Sequence, residues 1–292
     1  MKAGRIAENL READLRKAVK AKLQEQEGRN LFYKVNFLNR KGCTVDTNES
    51  YTEIIADELI KNYEQVKLTG GVPIRRIKSF DNNHCGIATV EARLERKGEL
   101  GYNEKLLAVA LFNSGKEYSL GKIFDYEVPI KEKGSDKFGK IDLVAMDNLN
   151  HAINLIELKI NPRGNNKDKN KNGETLLRTL LEIYTYYKLI SGSYDKFLKD
   201  YRLSREQYKR FQPVILTEEG TSSAETLSNL KEYPRIQALM NEMNKELNEI
   251  ETGTRLKGFI FNYSNSGKPF HNNGERQQKV MLQVDITITQ II

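Results

Sequence analysis

GKIDLVAMDNLNHAINLIELKI, residues 139–160, reads as two apolar strands joined by a polar turn, Asp147-Asn148-Leu149-Asn150, the chemistry of a short hairpin. The first strand runs Ile141 to Met146 and the second Ala152 to Ile160. Both are apolar on both faces, which places them inside a layered α/β domain and not on a solvated edge. Three charges nonetheless lie within them: Asp142, Glu157 and Lys159. Side chains alternate along a strand, so Glu157 and Lys159 share a side. With the hairpin centred between Asn148 and Leu149, Asp142 faces Leu155, which is also on that side. Any slip by an even number of positions keeps the three together, whereas an odd slip would invert the apolar pattern. Two carboxylates and one ammonium therefore converge, with Asp142 and Glu157 on the order of 7 Å apart at Cβ.

Two explanations fit such a patch. In one, Lys159 neutralises an acid in a buried ion pair, at a desolvation cost of roughly several kcal/mol per ion and with one negative charge left over. In the other, a Mg²⁺ ion cancels that surplus, since hard cations prefer carboxylate and carbonyl oxygens. The second reading agrees with a resemblance carried by the same residues. Asp142, followed on the next strand by Glu157-Leu158-Lys159, resembles the PD-(D/E)xK nuclease superfamily, with the Gly-Lys-Ile-Asp-Leu-Val lead-in standing where that core hairpin begins. The departure is Ile141, at the place of the name-giving proline. The resemblance covers about Leu100 to Thr217.

The resemblance implies an α/β fold with a restriction-endonuclease-like αβββαβ core, a central mixed sheet flanked by helices, carrying N- and C-terminal α/β elaborations. Residues 98–220 would form the nuclease core. Residues 1–97 would be an N-terminal region for recognition or dimerisation, and 221–292 an extension packed on the core. It implies Mg²⁺-dependent hydrolysis of phosphodiester bonds, with Mn²⁺ substituting, by a DNA endonuclease of restriction or defence type. Asp142 and Glu157 would hold the ion with the Leu158 carbonyl, and Lys159 would orient or deprotonate water or neutralise charge. The alternatives are a nuclease acting on RNA and an inactive nucleic-acid-binding module of the same fold. In such proteins a helix before the hairpin often offers another acid, and Glu104 is the match here. Its other reading is a first-turn glutamate favoured by the helix dipole.

The whole chain is compatible with this. At 292 residues it can bury a sizeable core. Net charge is +7, which favours a polyanionic partner without requiring one. Cys43 and Cys85 have no CxxC spacing, which argues for free thiols in a reducing compartment and against zinc. No apolar stretch is long enough to span a bilayer. Glu8, Glu12 and Asp14 make the N-terminus unlike a signal or transit peptide, so a cytoplasmic protein is expected.

Along the chain, residues 2–27 are helix-favouring, with Ile6, Leu10, Leu15, Val19 and Leu23 on a drifting stripe that suits packing on the body or on a second copy in a homodimer. A strand is expected over Leu31–Leu38, then a helix from Ser50 to about Tyr63 with Glu53 at capping-box spacing. Ile74–Phe80 and Ile87–Glu95 alternate like strands around a His84-Cys85 loop, to which no catalytic role is given. Asn103–Asn113 reads as a helix, Phe124–Lys131 as the leading strand of the sheet. After Lys159 comes a basic, low-complexity run from Asn161 to Gly173. Its Arg163, Lys167, Lys169 and Lys171 either contact phosphates or belong to a solvated loop. Glu174–Ile190 is helical, with Arg178, Glu182 and Tyr186 forming a polar ribbon at i, i+4 and i+8. Some nucleases of the superfamily carry a Gln-x-x-x-Tyr pattern there. Glu182 stands in place of that Gln with Tyr186 in register, as an extra metal-shell acid, a positioning group or a partner of Arg178. Arg178 and Tyr186 are expected to touch nucleic acid. Pro213–Thr217 is a short strand. Ile236 to Ile250 is an amphipathic helix, and Leu256–Tyr263 and Val280–Ile288 are further strands.

Overall fold

The computed structural model describes residues 10–25, 31–68, 80, 103–130, 138–161, 173–264, 270–271 and 280–292. In chain order the helices are α1 (Glu12–Gln24), α2 (Tyr51–Lys61), α3 (Tyr63–Lys67), α4 (Glu104–Ser114), α5 (Leu176–Ser191), α6 (Tyr194–Asp200), α7 (Ser222–Ser228) and α8 (Pro234–Ile250). The strands are β1 (Glu117–Tyr118), β2 (Gly121–Pro129), β3 (Lys140–Asp147), β4 (Ala152–Lys159), β5 (Arg210–Glu218), β6 (Lys257–Tyr263), β7 (Phe270–His271), β8 (Met281–Leu282) and β9 (Ile286–Gln290).

Seven strands form one mixed sheet in the order β1-β2-β3-β4-β5-β6-β9, and β7 pairs with β8. The neighbours β4–β5 and β5–β6 are parallel and the other pairs antiparallel. This is an α/β architecture with helices on both faces. Leu107, Val109 and Leu111 of α4 join Leu143, Ala145, Ile156, Leu158, Val214 and Leu216 on one face. On the other, Leu177, Leu180 and Leu181 of α5 join Val144, Ile153, Leu155 and Ile215, together with α1, α2 and α8. The α1 stripe is thus buried against the body through Leu15, Val19 and Leu23. Burial on both faces accounts for the near-continuous apolar character of β4 and β5.

The hairpin between β3 and β4 closes on Asp147 paired with Ala152. Asp147 accepts hydrogen bonds from the Asn150 backbone N–H at 3.0 Å and from its side-chain amide at 2.8 Å. That local bonding moves the turn one residue later than the expected centre. The register is therefore offset by two positions from the one expected. Leu143 pairs with Ile156, so Asp142 lies across from Glu157 and not from Leu155. Because the offset is even, the face occupied by each side chain is unchanged.

Side-chain caps start α4, α5 and α7. Asn103 accepts from the Leu106 N–H at 2.9 Å, Thr175 from the Arg178 N–H, and α4 ends on Gly115 at φ +60°. The expected Ser50 cap of α2 does not form, since Ser50 bonds Thr52 instead. Glu53 turns to another helix and accepts the backbone N–H groups of Arg235 and Ile236, at 3.0 and 3.1 Å, at the start of α8. The strand expected over Leu31–Leu38 is replaced by two 3₁₀ turns, Phe32–Lys34 and Asn36–Asn39. Phe32 and Tyr33 are adjacent and both buried, as are Phe37 and Leu38, and an alternating strand cannot send neighbours to one side. The expected Val280–Ile288 strand is split into β8 and β9. The strands expected at Ile74–Phe80 and Ile87–Glu95 and the His84-Cys85 loop lie outside the described residues, Phe80 excepted, which is buried. Among the described residues no helix is long and apolar enough to cross a membrane.

Candidate active site

β3 and β4 carry Asp142, Glu157 and Lys159 to the face covered by α5. Glu157 is 3% exposed and Lys159 6%, while Asp142 is half-buried. The Asp142 carboxylate accepts the Leu158 backbone N–H at 2.9 Å, which ties the two strands together at the point where the charges meet. Lys159 donates to Glu157 at 2.6 Å and stands 3.3 Å from both Glu174 and Glu182. Three carboxylates thus surround one ammonium.

From α5, Glu182 and Tyr186 project into the same patch one turn apart. The Tyr186 hydroxyl donates to Glu182 at 2.9 Å. It also lies 3.1 Å from the Tyr33 hydroxyl, which itself donates to the Phe138 carbonyl at 2.9 Å. Tyr186 packs so close to Gly139 that a Cβ there would sit 2.3 Å from its hydroxyl, and Gly139 has φ +122°, a conformation that favours glycine. The glycine of the lead-in is therefore a steric requirement of the α5 wall. Arg178 lies 3.2 Å from Glu174.

Burial dominates the electrostatics. It pushes the Asp142 carboxyl up to about 7, with Glu104 and Glu182 adding to the rise and Lys159 and the Leu158 N–H opposing it. It also raises Glu157 well above the usual carboxylate range, reinforced by Asp142 and Glu182. Glu104 is raised chiefly by burial too, and it accepts a backbone hydrogen bond from Ile160. For Lys159, burial works against the charge, but Glu157, Glu182, Glu104 and Glu174 outweigh it and hold the amine well above its ordinary value. The site has a surplus of carboxylate, and its lysine is a firmly held ammonium.

The sequence-derived residues separate into three groups. Asp142, Glu157, Lys159 and Glu182 come together as a contiguous cluster, with Leu158 between them and Glu104 within electrostatic reach at the start of α4. Tyr186 is 3% exposed with its hydroxyl satisfied inside the protein, so it orients Glu182 and is not available to nucleic acid; this corrects the expected contact. Arg178 is engaged with Glu174 while remaining partly accessible. Arg163, Lys167, Lys169 and Lys171 lie outside the described residues. Sequence reasoning missed Glu174, Gly139 and Tyr33 as parts of the site. Glu174 was within reach of the helical pattern, one i−4 step before Arg178. Tyr33 is 153 positions from its partner, and nothing local announces it.

The donor set suits a hard divalent cation in part. Glu157 Oε2 is buried with no hydrogen-bond partner among the described residues, an acceptor left open beside Asp142. Among the described residues no group of three or more His, Cys, Asp or Glu side chains is gathered as a ready-made metal cage. Two carboxylates and a strand carbonyl are what the hairpin itself offers. No family model, curated protein or solved structure matches the chain.

Proposed function

We propose that this protein is a metal-dependent nuclease that hydrolyses phosphodiester bonds, with DNA as the favoured substrate. The observation that carries the reading is the meeting of Asp142, Glu157 and Lys159 on adjacent strands, with one Glu157 oxygen unpartnered. The element order α4-β1-β2-β3-β4-α5-α6-β5, with β5 parallel to β4, contains the αβββαβ succession expected of the PD-(D/E)xK superfamily once the two-residue β1 and the short α6 are set aside. A net charge of +7 suits a polyanionic substrate.

In this reading Asp142, Glu157 and the Leu158 carbonyl hold Mg²⁺ or Mn²⁺. When bound, such an ion polarises the phosphoryl group and makes a coordinated water more acidic. Lys159 acts as an ammonium, donating to the attacking water or to the phosphate oxygens as negative charge builds, because its carboxylate neighbours disfavour the neutral amine that a base would need. Glu182, steadied by Tyr186, holds the amine in position from the opposite wall. Glu104 adds a further carboxylate at the rim.

Incubation of the purified chain with plasmid, linear and single-stranded DNA and with RNA, each with Mg²⁺, Mn²⁺ or chelator, tests this. Metal-dependent cleavage lost in Asp142→Asn supports it, by about 10²–10³-fold or more for a group acting on the transition state. Cleavage undiminished in a folded Asp142→Asn sample removes the assignment. A second reading draws on the ion pairs themselves: Lys159 pairs with Glu157, Glu174 and Glu182, as the ammonium of a structural network in a non-catalytic module would. Calorimetric titration with Mn²⁺ separates the two, heat of binding favouring the nuclease and its absence the module.

A further inference from the structure

At the other end of the parallel strands lies a feature that the catalytic reading does not use. β6 pairs with β5 only from Val214 onward, so Arg210, Phe211 and Gln212 have no β6 neighbour. Pro213, which has no N–H to offer, ends this uncovered stretch. The Phe211 backbone is satisfied from outside the sheet, its N–H by Glu251 at 3.2 Å and its carbonyl by the Thr254 hydroxyl at 3.2 Å. The gap opens into a cleft of about 880 Å³ between the start of β5, the turn before β6 and one side of α8. By strand rise, Arg210 and Thr217 are about 20 Å apart, so the cleft is remote from Lys159, which pairs with Thr217.

The lining is rich in donors and poor in acceptors. Arg210, Lys245, Arg255 and Lys257 contribute four cations against one lining carboxylate, Glu242. Glu242 is paired with Lys245 at 2.6 Å and Lys257 lies 3.4 Å from Asp147, which leaves neither arginine in an ion pair within 4 Å among the described residues, although Arg210 is near enough to Glu251 to favour its carboxylate. Asn244 and Asn248 accept backbone N–H groups from Leu256 and Gly253 through their side-chain oxygens, at 2.7 and 2.8 Å. Their amide NH₂ groups are thereby turned away as donors. At the floor, Gln212 is 1% exposed and its Nε2 has no partner among the described residues, nor does the buried Nε of Arg210. Buried donors left unpaired carry a desolvation penalty, which marks this floor as a place where an acceptor would be favoured.

We propose that this cleft binds a small phosphorylated ligand, its phosphate oxygens held by Arg210, Arg255 and the amide donors of α8. The volume is that of a small-molecule site and the chemistry is that of a multiply charged oxyanion. The proposal does not rest on the nuclease reading, since none of its groups belongs to that site.

Calorimetric titration of the full chain with inorganic pyrophosphate and with ATP, in chelator and at fixed ionic strength, tests it. Saturable binding of one equivalent is expected, tighter for ATP if the amides read more than phosphate and equal if they do not. Arg255→Gln, at an exposed position where the fold is not at stake, and Arg210→Gln should each weaken it by about tenfold or more. Asp142→Asn should leave it unchanged, which keeps the outcome separate from any loss of cleavage. Absence of saturable binding, binding indifferent to both arginine substitutions, or binding of single-stranded oligonucleotide but of neither small ligand would overturn the proposal.

Discussion

Lys159 shows how one residue can serve two ends. Its ammonium holds together carboxylates from β4, α5 and the segment just before α5 that would otherwise repel in a dry setting. Removing a partner from a buried ion pair costs about 3–5 kcal/mol. Lys159→Met is therefore expected to lower urea stability by that order at pH 7.5 in chelator, in addition to abolishing cleavage. Unchanged stability would mean that the carboxylates do not depend on the amine. The acids give a pH signature as well. Asp142 is raised from 3.8 to about 7 in the folded chain, and Glu157 and Glu104 are raised too. A raised acid binds its proton more tightly when folded, so its contribution is present below its unfolded pKa and is lost as the pH climbs through the folded one. Between about pH 4 and 7 Asp142 lowers stability by up to about 1.4 kcal/mol per pH unit, and Glu157 and Glu104 act in the same direction. Asp57 and Asp147, which are lowered, pull the opposite way at more acidic pH. The urea midpoint of metal-free protein compared at pH 5 and pH 7.5 should fall more steeply in the wild type than in Asp142→Asn. Equal slopes would show that Asp142 is an ordinary carboxylate.

At the scale of elements, the hairpin was legible because its information is local. Two-sided apolar strands, a polar turn and parity suffice to put three charges on one face, and a two-position error in register does no harm to that conclusion. The helices α4, α5 and α8 were legible for the same reason, from apolar periodicity. What sequence could not supply was the use of local signals at long range. Glu53 has capping-box spacing from Ser50, yet it caps α8, because buried backbone N–H groups at Arg235 and Ile236 offered it a better position. Glu53→Gln should cost about 0.5–2 kcal/mol in urea unfolding, the usual worth of a helix cap. Tyr33 and Phe37 read as strand residues until packing against α5 demanded adjacent inward side chains. Gly139 is another such case, its need visible only once Tyr186 stands over it. Gly139→Ala should destabilise by about 1–3 kcal/mol through left-handed backbone strain and displacement of that ring. A crystal structure of the variant with Tyr186 unmoved would contradict this.

Across the whole molecule, buried residues from α1, α2, α5 and α8 belong to a single apolar cluster that runs through the sheet face bearing the charges. Leu15, Ile55, Leu177 and Leu239 are all fully or almost fully buried within it. Such continuity predicts one cooperative unfolding transition, coincident by far-UV circular dichroism and tyrosine fluorescence. Separate midpoints for the two probes would indicate units that melt apart.

The hydroxyl of Tyr33 reaches Tyr186 from a stretch near the beginning of the chain. A protein trimmed to start at residue 98 would keep every acid and the lysine, yet lose the outer brace of the wall that steadies Glu182. Tyr33 is in that sense a brace for the charged cluster, and its removal should loosen that cluster before it unfolds the sheet.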